Sequence, residues 1–148
     1  RAGVADGVEI GLSRGAVERH PMIVAGFGFR RGTSVDSMLN ALRIAGGDVM
    51  PDAIATAAAK VDEAGFQTLA TRLNRPVIAV DAAALSTAPT LTQSPASKAA
   101  HNTGSVAEAA ALSALNTLIS APARLMGPRV TSTDAMATCA LAIGDDTE

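Results

Sequence analysis

Short unbroken apolar runs alternate along the chain with segments whose apolar residues recur every three or four positions. Residues 22–29, MIVAGFGF, form the first run and end in a loop of glycine and arginine, which is typical of a buried strand. The runs at 53–60 and 76–80 predict two more strands. The segment AIATAAAK at 53–60 also has the composition of a helix, because alanine favours helix. Its position between two predicted helices favours a strand.

Helical spacing follows the first two runs. Thr33 or Ser34 can cap a helix that carries an apolar stripe from Val35 to Leu42 and ends at Gly46-Gly47. A second helix is predicted to have Asp62 and Glu63 in its first turn, where the helix dipole favours negative charge. Asn74 and Pro76 end this helix.

The second half of the chain begins with residues 85–93, which are rich in Ser, Thr and Pro and are predicted to form a loop. Ser94-Pro95 then starts a short helix that Gly104 closes. Ser105 and Glu108 have the spacing of a capping box and open a longer helix, which Pro122 bounds.

Two further apolar segments, 123–130 and 135–143, are joined by the turn-like residues 131–134 and predict an antiparallel hairpin. Strands that alternate with helices and then end in a hairpin indicate an α/β fold. The pattern therefore predicts a three-layer α/β/α arrangement around a mixed sheet of about five strands.

The chain has 148 residues, of which 48% are apolar, enough for one domain with its own core. We expect residues 1–19 to be a flexible N-terminal segment or a remnant of trimming or expression, because the chain opens with arginine rather than methionine. Residues 20–148 are expected to form one domain.

Charge and composition exclude several classes of function. The formal net charge is −2, and the chain has no Trp or Tyr, so it has neither the basic surface nor the stacking side chains typical of nucleic-acid binding. The single cysteine, Cys139, excludes an internal disulfide. No apolar run approaches the roughly 20 residues of a membrane span. These features predict a cytoplasmic protein with no nucleic-acid or membrane partner and no resident metal or cofactor.

The glycines of GFGFRRGTS resemble a nucleotide-binding loop but do not match one. The dinucleotide fingerprint G-x-G-x-x-G that starts at Gly26 and Gly28 requires its third glycine where this chain has Arg31. A long side chain there would hold the helix away from the strand. A nucleotide or small-anion sensor is suggested only by this imperfect loop.

The same loop lies between a strand end and a helix start, where free amides and the helix dipole favour an anion. Arginine side chains can complete such a site for a carboxylate or phosphate. The alternative is that the hydroxyls only cap the helix and the arginines point into water. The candidate binding residues are Gly28, Arg30, Arg31, Gly32, Thr33 and Ser34.

Four other residues are candidates for chemistry. Lys60, at the next junction of strand and helix, can meet an acidic ligand, and Glu63 can move protons if its surroundings raise its pKa. His101 can act as an acid, a base or an axial metal ligand, and Glu108 is a weaker binding or catalytic candidate. Three of them have a structural alternative: Glu63 as an acid of the first helical turn, His101 as a solvated side chain near the last carbonyls of a helix, and Glu108 as part of a capping box.

Together, these segments resemble the CobE/CbiG C-terminal domain family of cobalamin biosynthesis over about residues 22–143. The resemblance rests on GFGFRRGTS, on KVDE at 60–63, on GSVAEAAAL at 104–112 and on the closing ATCALAI. It implies an α/β fold with helices on both sides of a mixed sheet. The chain is most similar to the free-standing CobE members, because it has no room for the portion that precedes this domain in CbiG proteins.

The resemblance implies a ligand and two possible roles. Corrin precursors are flat macrocycles edged with acetate and propionate groups, which basic side chains can hold. The first role is to bind such a precursor and hand it to neighbouring cobalamin-pathway enzymes. The second is that of a hydrolase or lyase that opens a ring lactone and releases acetaldehyde, as the longer CbiG proteins do, with Glu63 or His101 as the base. The apolar floor of the site would be aliphatic or would use Phe27 and Phe29.

Overall fold

The computed structural model describes residues 21–145, so the predicted flexible segment at 1–19 lies outside the described residues. Strands and helices alternate through the first half of this range, as the apolar pattern predicts. The strands are β1 (Pro21–Phe29), β2 (Ala53–Ala57), β3 (Val77–Val80), β4 (Arg124–Leu125), β5 (Val130–Thr131) and β6 (Ala137–Asp145). The helices are α1 (Val35–Gly46), α2 (Ala64–Leu73), α3 (Ala82–Thr87), α4 (Pro95–His101) and α5 (Val106–Leu118), and a 3-10 turn spans Ala58–Lys60.

The strands form one mixed sheet in the order β3-β2-β1-β6-β4, with β5 also paired to β6. β1, β2 and β3 are parallel, whereas β6 is antiparallel to β1, β4 and β5. The carboxyl ends of β1 and β2 therefore lie at the same edge as the start of β6. Open α/β sheets place their ligands outside the carboxyl ends of their strands.

Helices cover both faces of the sheet and bury two apolar clusters. Residues of α1 and α2 pack on one face with Phe27 and Cys139, both fully buried. α5 packs on the other face with Val24 and Leu85. The three-layer α/β/α arrangement predicted from the sequence is confirmed.

The glycines of the GFGF segment explain how closely α5 approaches the sheet. A Cβ atom added to Gly26 would lie 2.1 Å from the carbonyl oxygen of Ala107 and 2.6 Å from the amide nitrogen of Ala111. Because side chains alternate along a strand, Gly26 and Gly28 face α5 while Phe27 faces the opposite core. The spacing of these two glycines therefore serves helix packing.

The helix boundaries differ from the predictions in three places. α3 was missed, because residues 85–93 read as loop, yet Asp81 caps this helix by accepting the amide of Ala84. α2 begins only at Ala64, so Asp62 and Glu63 precede its first turn. The 53–60 strand was too long, since its last three residues form the 3-10 turn.

The edge strand predicted at 123–130 is interrupted. Arg124 and Leu125 pair with Ile143 and Ala142, but Val130 pairs with Cys139. The edge segment therefore carries two extra residues relative to β6, and these form a bulge that divides the predicted strand into β4 and β5. For this reason the sheet has six strands rather than about five.

Candidate functional site

A cleft of about 370 Å³ opens at the edge of the sheet where β1 and β2 end and β6 begins. Residues of α4 line one part of this cleft, and Val106 in the first turn of α5 also lines it. Its volume lies in the lower part of the range of roughly 300–1,000 Å³ found for small-molecule sites. It is lined by Gly28, Phe29, Arg30, Thr56, Lys60, Ser94, Ala96, Ser97, Ala100, His101, Val106, Arg129, Thr131, Ala135, Met136, Ala137 and Thr138.

Basic groups come to this cleft from four separate segments. Arg30 follows β1, Lys60 ends the 3-10 turn, His101 ends α4 and Arg129 precedes β5. No Asp or Glu of the described residues lines the cleft. The positive end of the α5 dipole lies at the same place. The cleft is thus suited to a ligand with several negative charges.

Lys60 is held at the floor of the cleft by the end of β1. Its Nζ donates a hydrogen bond of 2.5 Å to the carbonyl oxygen of Phe29 and lies 5.3 Å from the centre of the Phe29 ring. Burial lowers the pKa of Lys60; the negative charge of Glu63 opposes this shift, and the positive charge of Arg31 adds to it. The ammonium group is therefore poorly solvated and would gain from an anionic partner.

Phe29 supplies the apolar part of the same floor. Its ring stacks on Phe66 with centroids 5.6 Å apart, and Phe66 in turn meets Phe27 edge to face. Phe27 is fully buried and does not line the cleft. Of the two phenylalanines considered for the floor, only Phe29 is available to a ligand.

His101 is half-buried in the cleft wall. Burial lowers the pKa of its imidazole, and the nearby positive charge of Lys60 lowers this pKa further. The ring is therefore neutral at neutral pH in the free protein. A neutral imidazole can accept a proton, either from a reacting group or when an anion enters the cleft.

The loop predicted to bind an anion is largely filled by contacts within the protein. Gly32 has a φ of 79° and donates its amide to Oε1 of Glu63 at 3.0 Å. The Thr33 amide donates to the Arg30 carbonyl, and the buried Thr33 hydroxyl donates to that same oxygen. Ser34 caps α1 by accepting the amide of Ser37. The carboxylate of Glu63 thus occupies the position proposed for a ligand anion.

The structure therefore separates the candidate residues into two groups. Gly28, Arg30, Lys60 and His101 line the cleft. The others, Arg31, Gly32, Thr33, Ser34, Glu63 and Glu108, do not. Arg31 pairs with Glu63 at 3.7 Å, and its side chain is 79% exposed.

Glu108 is completely buried behind the cleft. Ser105 accepts the amide of Glu108 as a capping box requires, but the carboxylate does not complete the box. It accepts hydrogen bonds from Leu91, Thr92 and Arg129 instead. Burial on its own would raise the pKa of Glu108, but these hydrogen bonds outweigh it and lower the pKa below its ordinary value.

Arg129 is the basic residue of the cleft that sequence reasoning missed. It lies in GPR at 127–129, which reads as an ordinary turn. Its place in the cleft depends on the bulge between β4 and β5, and that bulge appears only when the edge strand pairs with β6. No local sequence signal marks it.

The described residues, 21–145, contain neither a candidate metal site nor a candidate membrane span. Within that range, no cluster of His, Cys, Asp and Glu side chains has the geometry to hold a metal ion. None of the helices there has the length and apolar character needed to cross a bilayer.

These features define an α/β domain with a basic cleft at the carboxyl edge of a mixed sheet. Residues 23–142 match the family model described as cobalamin synthesis G C-terminus. The chain belongs to this family, and the resemblance seen in the sequence is confirmed.

Two solved structures are similar to the chain over most of their own length. One is CobE, a protein from the cobalamin (vitamin B12) biosynthetic pathway, at 33% identity and a TM-score of 0.78, with 84% of this chain and 91% of that chain covered. The other is the cobalamin biosynthesis protein chiG from Agrobacterium tumefaciens, at 35% identity and a TM-score of 0.61, with 82% and 97% covered. No curated protein matched the chain.

Proposed function

We propose that the cleft binds one edge of a corrin precursor through its carboxylate side arms and presents the precursor to neighbouring enzymes of cobalamin biosynthesis. The observation that carries this proposal is the convergence of Arg30, Lys60, His101 and Arg129 on a cleft that no carboxylate of the described residues lines. Acetate and propionate groups are the natural partners of such a cluster. The similarity to CobE, a protein of the cobalamin pathway, supports this ligand class.

The size of the cleft limits how much of the ligand it can hold. A corrin ring with its side arms is larger than a cleft of about 370 Å³. The cleft would therefore take one edge of the ring, with Phe29 against the macrocycle and the basic groups on its arms. The remaining face would stay accessible to a second protein, which suits a handover between enzymes in the cytoplasm.

Binding of cobyrinic acid, a corrin whose arms end in free carboxylates, tests this proposal. The chain has no Trp or Tyr, so corrin absorbance can be followed without protein overlap. We expect saturable binding that weakens with salt, because charged contacts are screened. The fully methylated ester of the same corrin should bind much more weakly. Equal binding of the acid and the ester, or no binding of either, would contradict the proposal.

Arginine variants locate the binding surface. Arg30→Gln and Arg129→Gln should each lower the affinity for cobyrinic acid by about tenfold, since a hydrogen bond to a charged group contributes roughly 1.5–3 kcal/mol. Arg43→Gln is the matched control, because Arg43 lies in the last turn of α1 and does not line the cleft. A loss of affinity in Arg43→Gln equal to that in the cleft variants would indicate nonspecific attraction.

A second candidate role is a hydrolase or lyase acting on the corrin ring. The feature that favours it is the neutral imidazole of His101 beside the ammonium of Lys60, a pair able to accept a proton and stabilise an anion. Glu63, the other predicted base, is bound to Gly32 outside the cleft lining and stays a prediction. Incubation with a lactone-bearing corrin precursor distinguishes the two roles. His101→Gln would abolish product formation but preserve corrin binding at high pH if the protein is an enzyme.

A further inference from the structure

The buried carboxylate of Glu108 joins two segments that form walls of the cleft. Its Oε1 accepts the amides of Leu91 at 2.6 Å and Thr92 at 3.0 Å. Its Oε2 accepts the Thr92 hydroxyl at 2.6 Å and the Arg129 amide at 2.8 Å. All four donors are neutral, and the side chain is fully buried.

One of these segments carries Arg129. The Met126 amide still donates to the Leu141 carbonyl of β6, but residues 127–129 have no backbone hydrogen bond to β6. The backbone at Arg129 therefore lacks the ladder that positions an ordinary strand residue. The bond from the Arg129 amide to Glu108 replaces that support. The direction in which the Arg129 side chain leaves the backbone therefore depends on the carboxylate.

The other segment leads into α4. Thr92 precedes Ser94, the N-cap of α4, by two positions, and α4 supplies the cleft wall that ends at His101. The backbone of Gly104 packs tightly against this segment, since an added Cβ would lie 2.2 Å from the Thr92 carbonyl oxygen. Glu108 thus binds both the Leu91–Thr92 segment, which precedes α4, and Arg129 in the bulge between β4 and β5.

We infer that Glu108 is a positioning residue for ligand binding. Its carboxylate sets the separation between Arg129 and the α4 wall without touching the ligand itself. This role rests on the proposed function, because it assumes that the cleft binds a carboxylate-bearing corrin.

Glu108→Gln is the first test. A glutamine of equal length offers one acceptor oxygen, so it cannot accept from both the Leu91–Thr92 segment and the Arg129 amide. We expect the affinity for cobyrinic acid to fall by about tenfold, comparable to the loss in Arg129→Gln. In a protein that already carries Arg129→Gln, adding Glu108→Gln should lower the affinity by only about threefold or less, because the effects of substitutions at contacting residues are coupled.

Hydrogen exchange of the Arg129 amide gives a readout that does not need the ligand. This amide should be protected in the wild type and should exchange at least about tenfold faster in Glu108→Gln. Asp52→Asn is the matched control, since the Asp52 carboxylate accepts the Ile23 amide near the start of β1, away from the cleft. It should change neither corrin affinity nor exchange at Arg129.

The outcomes separate this inference from the function on which it rests. If the wild type does not bind cobyrinic acid, the proposed function fails, and this role fails with it. If the wild type binds and a folded Glu108→Gln protein binds equally well, only the role of Glu108 is overturned. Should Glu108→Gln fail to fold, Thr92→Val removes the hydroxyl donor to Oε2 and keeps all three backbone amides that donate to the carboxylate. Unchanged corrin affinity and unchanged exchange at Arg129 in that variant would overturn the inference.

Discussion

The ammonium nitrogen of Lys60 lies 5.3 Å from the centre of the Phe29 ring and donates a hydrogen bond to the carbonyl oxygen of the same residue. One residue of β1 thus fixes the cation through both its backbone and its side chain. Of the chain's two lysines, Lys60 lines the cleft and Lys98 does not. This contrast allows a matched test of charge in the cleft.

Lys60→Met should weaken cobyrinic acid binding by about tenfold, because it removes a charged donor and keeps an apolar stem against Phe29. Titration followed by corrin absorbance measures the change. Lys98→Met, which removes the same charge from a residue of α4 that does not line the cleft, should have a smaller effect. Equal losses in the two variants would mean that net charge, rather than the cleft, determines binding.

Corrin binding should depend on pH through His101. Its pKa in the free protein lies below the ordinary value of 6.5, because of burial and the charge of Lys60. Ligand carboxylates that enter the cleft would raise this pKa, so binding takes up a proton. Affinity should therefore increase as the pH falls from about 8 to about 5.5, across the range where imidazole titrates.

His101→Gln should flatten that pH profile. Titrations at each pH with constant ionic strength provide the measurement, and the ligand carboxylates stay ionised over most of this range. A wild-type profile that is already flat would show that His101 does not face the bound anion.

Stability should decrease in acid. The pKa values of Glu108 and Asp134 are lowered in the folded protein: hydrogen bonds outweigh burial at Glu108, and Ser132, Ser37 and the Met136 amide donate to Asp134. A group with a lowered folded-state pKa stabilises the protein above its unfolded pKa and loses this contribution as the pH falls through the folded value. The lowered pKa of His101 also makes the folded protein less stable as the pH falls.

Urea unfolding followed by circular dichroism tests this dependence. The free energy of unfolding should fall gradually below pH 6.5, because the unfolded chain then binds a proton at His101 more readily than the folded protein does. It should fall more steeply below the ordinary carboxyl values of 4.5 for Glu108 and 3.8 for Asp134. Glu108→Gln should be less stable at neutral pH and show a shallower acid slope. An acid slope equal to that of the wild type would contradict the assignment of this effect to Glu108.

Gly26→Ala should destabilise the fold by about 1–3 kcal/mol through overpacking. The added Cβ would meet backbone atoms of α5, which cannot move without shifting the helix. Gly127→Ala is the control, since no atom lies within 4 Å of a Cβ added there. That substitution should stay within about 0.5 kcal/mol of the wild type. Thermal unfolding of both variants makes the comparison, and equal stabilities would exclude close packing as the reason for Gly26.

The short-range pattern was sufficient for most of the elements. Ser94 and Ser105 were recognised as caps, and Ser34 as one of two alternatives with Thr33, because the bond from a cap hydroxyl to an amide three residues later is local. α3 was missed because residues 85–93 contain several loop-forming residues, and the cap at Asp81 lay outside the segment considered. The break in the edge strand was missed because it depends on pairing with β6.

The candidate site divides in the same way. Gly28, Arg30, Lys60 and His101 were proposed from their places near the ends of predicted elements, and all four line the cleft. The filling of the Gly32 loop by Glu63 joins residues 31 positions apart, and the bond between Glu108 and Arg129 joins residues 21 positions apart. The hydrophobic periodicity of the sequence does not predict contacts between residues so far apart along the chain.

The sequence by itself determined the family, the alternation of strands and helices and the basic residues at the strand ends, because these depend on neighbouring residues or on short motifs. Only the tertiary structure decided which basic groups share a cleft and which carboxylates are used within the fold. The physical reason is that charge and hydrogen-bond partners are set by distance in space, and the sheet brings together segments that are far apart along the chain.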